Sequence, residues 1–168
     1  MSETTEMQFE LVESSLENFA GVEYKLADAG YRVTHVRGDQ AGTVNELFAE
    51  FASAFQFPWY FGRNWPSFRE CMTDLDEWLP AGSKGYVLTI WNADLVLARE
   101  AEGLKWLIDS LVFIHEEYAE PTTLVSDGRG QAAPAPAKDF RVLLHCETGE
   151  RERAAANWRR AGAQLSES

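Results

Sequence analysis

Three histidines and two cysteines have the widest chemical repertoire in this chain, and their spacing organises none of it. His35, His115 and His145 fall on different expected elements, as do Cys71 and Cys146, with no H-E-x-x-H or C-x-x-C spacing among them. No zinc site is expected. Neither cysteine is flanked by a nucleophile motif, so a Cys71–His enzyme has no support in the sequence, and the thiols read as reduced and buried. His115 lies among the inward positions of a long helix and His145 ends a strand, so both read as hydrogen-bonded structural residues. No G-x-G-x-x-G follows a strand and no G-x-x-x-x-G-K-[ST] occurs, so neither a nucleotide cofactor nor catalysis is expected.

The chemistry that remains is recognition. Trp59, Tyr60, Phe61, Gly62, Arg63, Asn64 and Trp65 form a stretch too aromatic for an ordinary solvated loop, with a glycine able to reach positive φ. Such a loop either seals the core or contacts a partner. Beyond it Ser67, Glu70 and Asp74 are spaced by three and four along one helix face, and Glu77 continues the run. A stripe of this kind is either a solvated face or a set of carboxylates placed to meet Arg or Lys on another protein. The candidate partner-binding residues are Trp59, Tyr60, Gly62, Asn64, Glu70 and Asp74.

The elements that must hold these residues alternate in type. Residues 31–36 carry the β-branched Val33, Thr34 and Val36 of a strand. Thr43 and Glu46 form a T-x-x-E capping box, and Val44, Leu47, Phe48, Phe51, Ala52 and Phe55 line one face of the helix that follows. Asn64 can cap a second helix, whose early Pro66 is tolerated in a first turn and whose buried stripe is Trp65, Phe68, Met72 and Leu75. GYVLTIW at 85–91 reads as a strand covered on both faces, a helix falls within 99–119, and FRVLLHC at 140–146 is a third strand. Parallel strands joined by helices make a small three-stranded parallel sheet, an α/β fold.

Outside this order, residues 1–30 read as an N-terminal extension, with a weak helix at 15–29, and residues 147–168 as a tail carrying Trp158. The segment 121–138, PTTLVSDGRGQAAPAPAK, has loop composition and reads as a mobile insertion. Acidic residues outnumber basic ones 27 to 15, a formal charge of −12 that disfavours nucleic acid and anionic membranes and favours a basic partner. The start lacks a basic leader and no segment approaches the ~20 apolar residues of a membrane span, so a cytoplasmic protein is expected.

Residues 31 to about 145 resemble the barstar family of ribonuclease inhibitors. The resemblance is carried by Phe57-Pro58-Trp59-Tyr60-Phe61-Gly62-Arg63-Asn64-Trp65, by Phe68 and Glu70-Cys71-Met72-Thr73, and by the GYVLTIW strand. It implies a three-stranded parallel sheet packed with helices, and an inhibitor that plugs a basic nuclease site with an acidic helix and the loop before it. Tyr60, Gly62 and Asn64 match the family's binding loop, and Glu70 falls where the family has its most important carboxylate. Pro66, Arg69 and Arg63 depart from that pattern, the first two at interface positions and the third by reversing a charge. The resemblance therefore implies a nuclease or related toxin as partner, in an immunity-type role, with a binding module that no longer inhibits as the alternative.

Overall fold

A computed structural model of the chain describes residues 7–120, 122–126 and 132–167. Strand β1 (Phe9–Glu13) alternates Phe9 and Leu11, both fully buried, with Glu10 and Val12. Ser15 caps α1 (Leu16–Asp28) by accepting from the Asn18 N–H, and the chain then runs through β2 (Arg32–Arg37). Helix α2 (Val44–Ala54) begins with the expected capping box of Thr43 and Glu46, and α3 (Trp65–Thr73) with Asn64 as its cap. Strand β3 (Gly85–Trp91), α4 (Gly103–Ala119), β4 (Thr122–Ser126), β5 (Ala132–Ala135), β6 (Asp139–Cys146), α5 (Arg151–Arg160) and β7 (Leu165–Glu167) complete the order.

The main sheet has five strands in the order β2-β3-β6-β1-β7, every pair parallel, where the sequence implied three. The two additional strands come from the segments read as extensions. β1 lies in register on β6, with Leu11 opposite Leu144, and β7 closes the far edge against β1. Their sequence signals are weak because β1 has five residues beside an acidic leader and β7 has three. Such runs become strands when an open sheet edge offers its unpaired N–H and C=O groups. Within 121–138, read from its loop composition as a mobile insertion, the described residues include two short strands. β4 and β5 form a separate antiparallel ladder, to which β-branched Thr122, Thr123 and Val125 are suited. Residues 121 and 127–131 of that segment lie outside the described residues.

Topology explains the layering. The β1-to-β2 connection crosses the sheet in one direction and the later connections return in the other, so right-handed crossovers put α1 on one face and the remaining helices on the opposite one. Burial agrees: Phe19 of α1 packs with Val87 and Leu143, whereas Phe48, Phe68, Leu107 and Trp158 share the larger core with Val36, Leu88 and Leu144. Trp158 is fully buried, donates Nε1–H to the Ala93 carbonyl at 2.9 Å and meets the Phe9 ring at 5.7 Å. β1 and α5 thus share one core.

His145 is fully buried between these layers. Its Nδ1 accepts from the Asn92 N–H at 3.0 Å and its Nε2–H donates to the Ser14 carbonyl at 2.8 Å. His115 Nδ1 lies 2.9 Å from the Phe140 carbonyl. Both histidines are structural, as their positions suggested. No helix among the described residues is long and apolar enough to cross a membrane.

Candidate partner-binding site

The loop between α2 and α3 stands on an aromatic base. Phe48 of α2 meets Phe61 edge-on at 5.7 Å and Trp65 at 4.9 Å, and Phe57 meets Phe61 at 4.9 Å. The aromatic stretch therefore splits by function. Phe57, Phe61 and Trp65 pack against the core, while Trp59 is 95% exposed and Tyr60 49% exposed, their rings 5.9 Å apart. Rigid, amphipathic and uncovered, this pair has the character of an interface anchor.

Local hydrogen bonds fix the loop's exit. Asn64 Oδ1 accepts from the Ser67 N–H at 2.8 Å, Asn64 Nδ2 donates to the Gly62 carbonyl at 3.2 Å, and the Gly62 N–H donates to Ser67 Oγ at 2.8 Å. Gly62 is able to reach positive φ but does not take it. Arg63, at φ 52, takes the left-handed conformation instead. What Gly62 supplies is room, since a Cβ there would stand 3.0 Å from Asn64 Nδ2. Asn64 and Gly62 hold the loop's shape, and Trp59 and Tyr60 project from it.

The acidic run is also arranged differently from a simple helix stripe. Helix α3 stops at Thr73, so Glu70 lies in its last turn, Asp74 is the C-cap, and Glu77 ends a single 3-10 turn formed by Leu75–Glu77. Ser67 turns into the loop and leaves the acidic face. Partial burial, with Glu77 and Glu70 adding repulsion, holds the Asp74 carboxyl above its ordinary value. None of Glu70, Asp74 and Glu77 forms a salt bridge among the described residues, whereas neighbouring Asp76 is taken by Lys138 at 2.7 Å. Partial burial and the charges of Cys71, Asp74 and Glu70 raise the Tyr60 phenol, which stays a hydrogen-bond donor beside the carboxylates.

Two devices keep this end of α3 in place. Tyr118 of α4 donates its hydroxyl to the Met72 carbonyl at 2.6 Å and accepts from the Leu75 N–H at 3.3 Å, satisfying backbone groups that the end of a helix leaves open. Arg69 Nε donates to Ser110 Oγ at 3.0 Å, and its guanidinium lies 5.6 Å over the Phe113 ring. Arg63 donates to Asn45 Oδ1 at 2.8 Å. Both arginines that break the family pattern are thereby tied to flanking helices. Asn45 and Ser110 carried no functional signal in the sequence, because a residue that restrains a cation across 18 or 41 positions has no local pattern.

Cys71, next to Glu70 in the chain, is buried, and burial followed by the Glu70 and Asp74 charges pushes its thiol up. That is the opposite of the activation a nucleophile needs. Cys146 is likewise pushed up to about 11, chiefly by burial. Sequence reasoning missed Trp106 and Phe113 of α4, 54% and 40% exposed. Their helix reads as a buried stripe, and the spacing that reveals its inward face says nothing of how much of the outward face is aromatic.

The α/β scaffold thus carries, toward one end of α3, exposed loop aromatics and carboxylates that have no salt-bridge partner among the described residues. The family model of barstar, described as the barnase inhibitor, matches residues 31–145, and the chain belongs to the barstar family. That family is one of inhibitors of ribonuclease partners. No curated protein matches the chain. Among solved structures, a chain from Drosophila ORC bound to GC-rich DNA and Cdc6 is 10% identical with a TM-score of 0.48, covering 97% of this chain and 49% of its own. A chain from Drosophila ORC bound to AT-rich DNA and Cdc6 is 10% identical at 0.47, covering 96% and 48%. A third, from Drosophila ORC bound to DNA, is 10% identical at 0.47, covering 96% and 79%. This chain spans about half the length of the first two.

Proposed function

We propose that this chain inhibits a basic nuclease or related toxin, in an immunity-type role, by laying Glu70, Asp74 and the Trp59–Tyr60 loop over the enzyme's cationic active site. The observation that carries the reading is the group of carboxylates at the end of α3 that has no salt-bridge partner among the described residues, close to Tyr60 and the almost fully exposed Trp59 that packs on it. Carboxylates held this way repel one another until an external cation arrives, so contacts with Arg or Lys relieve a strain already present. Gly62 and Asn64 serve by shaping the loop. The net charge of −12 steers a basic enzyme toward the surface. Pro66 leaves the first turn of α3 without an acid, and Arg63 and Arg69 change the rim, which suits a target whose surface differs from that of the classical ribonuclease.

The immobilised chain should capture a nuclease whose activity falls on binding. Two charge-assisted contacts contribute about 3 kcal/mol or more together, so Glu70→Ala with Asp74→Ala should weaken titrated affinity about a hundredfold or beyond. A second reading, a binding module that does not inhibit, draws on exposed Trp106 and Phe113 of α4. If Trp106→Ala with Phe113→Ala abolishes capture while the carboxylate variant binds normally and the captured protein keeps its activity, that reading replaces the first.

A further inference from the structure

On the side of the molecule where α5 meets the chain between β3 and α4 lies a cavity of about 580 Å³, within the range of small-molecule sites. Its walls include Val96, Leu97, Ala101 and Leu104 from the family-matched segment, and Ala161 from beyond it. The surface offered to a ligand is therefore mostly aliphatic. Around it stand Lys105, Arg153 and Arg160, with Asp94 and Glu102 as the acidic members. Asp94 is already engaged, its carboxylate 2.7 Å from Arg153, which also holds Glu150 at 2.8 Å. Lys105 and Arg160, both exposed, have no salt-bridge partner among the described residues, which leaves one more free cation than free acid in a chain of charge −12.

The backbone supplies an independent observation. Leu97, fully buried in the cavity wall, has φ 55, a conformation that a bulky side chain rarely adopts. Its N–H donates to the Ala41 carbonyl at 2.8 Å, which holds the unfavourable geometry in place. Strain kept at a pocket wall by surrounding packing is a mark of binding sites.

We propose that this cavity binds a small amphipathic anion, an aliphatic chain ending in a carboxylate, with the chain against Val96, Leu97 and Leu104 and the carboxylate between Lys105 and Arg160. Buried aliphatic surface supplies the attraction and the two cations select the head group. The site is separate from the carboxylates of α3, so it stands or falls independently of nuclease inhibition.

Decanoate and decyltrimethylammonium below their micelle concentrations, and decanol below its solubility limit, distinguish the contributions when titrated into the full chain and followed by calorimetry and amide NMR shifts. Decanoate should bind saturably and shift residues 94–105 and 157–161, with decanol about tenfold weaker and the ammonium compound weaker still. Ala101→Trp, at an exposed wall position, should block binding by filling the cavity. Lys105→Ala with Arg160→Ala should weaken decanoate about tenfold or more without affecting decanol. The thermal midpoint of each variant shows whether it remains folded. Absence of saturable decanoate binding, equal binding of the three probes, or undiminished binding to folded Ala101→Trp would each overturn the proposal.

Discussion

At Asp74 several unfavourable influences converge. The residue is partly buried, faces Glu77 and Glu70, and caps the end of a helix where the macrodipole already carries partial negative charge. The folded chain thus holds this proton more tightly than the unfolded chain, whose carboxyl has its ordinary value. By linkage, stability declines as pH rises through the elevated pKa, because the native state alone must give up a favoured proton. Asp74→Asn should consequently raise the unfolding free energy measured in urea at neutral pH, by about 0.3 kcal/mol from relief of the Glu70 pair alone, and the gain should vanish on acidification. Partner binding has the opposite sign. A cation on the partner pulls the Asp74 pKa down, so affinity should fall as pH drops through its elevated range, and calorimetry in buffers of different ionisation enthalpy would detect proton release. A residue that lowers the stability of its own helix end is intelligible if the missing charge arrives with a partner.

Helices and strands in this molecule are positioned by close backbone approach as much as by side-chain packing. Gly38 follows β2, and a Cβ at that position would stand 2.3 Å from the Asn92 carbonyl oxygen and 2.5 Å from that of Trp91. These are backbone atoms at the end of β3 and just beyond it, so relief requires the two strand ends to separate. Gly38→Ala should cost about 3 kcal/mol in chemical denaturation, at the upper end of overpacking effects, whereas a substitution at exposed Gly21, which has nothing near it, should cost far less. Helix α4 is the other organising element. Tyr118 and Ser110 on its inner side set the end of α3 and the direction of Arg69, and Trp106 and Phe113 on the same helix are exposed.

For the whole molecule, β1 and α5 are structural members of the fold. Trp158 is the largest fully buried side chain and touches Phe9, so one aromatic contact joins the last helix to the first strand. Trp158→Ala should destabilise the protein by about 4 kcal/mol, and near-ultraviolet circular dichroism should show loss of fixed packing before secondary structure goes. The charge of −12 acts at the same scale. Association with a basic enzyme should be fast in dilute buffer and slow steeply with added salt, while dissociation changes little, as stopped-flow mixing would show. An association rate insensitive to salt would mean that the carboxylates of α3 do not guide encounter.

The amino-acid sequence determined on its own those features that have a local physical signature. The capping box at Thr43, the Asn64 cap, the core faces of α2 and α4, the apolar β3 and the loop residues around Trp59 are legible because helical spacing, cap chemistry and continuous apolarity act over a few residues. Tertiary structure alone decided the five-strand count, because Phe9–Glu13 and Leu165–Glu167 pair as strands only beside neighbours more than a hundred residues away or already built into the sheet. It also decided which loop aromatics face solvent and where Arg63 and Arg69 point, since those outcomes depend on Phe48, Asn45 and Ser110 from other helices. Burial and long-range hydrogen bonding are properties of the assembled chain, and no short window of sequence contains both partners.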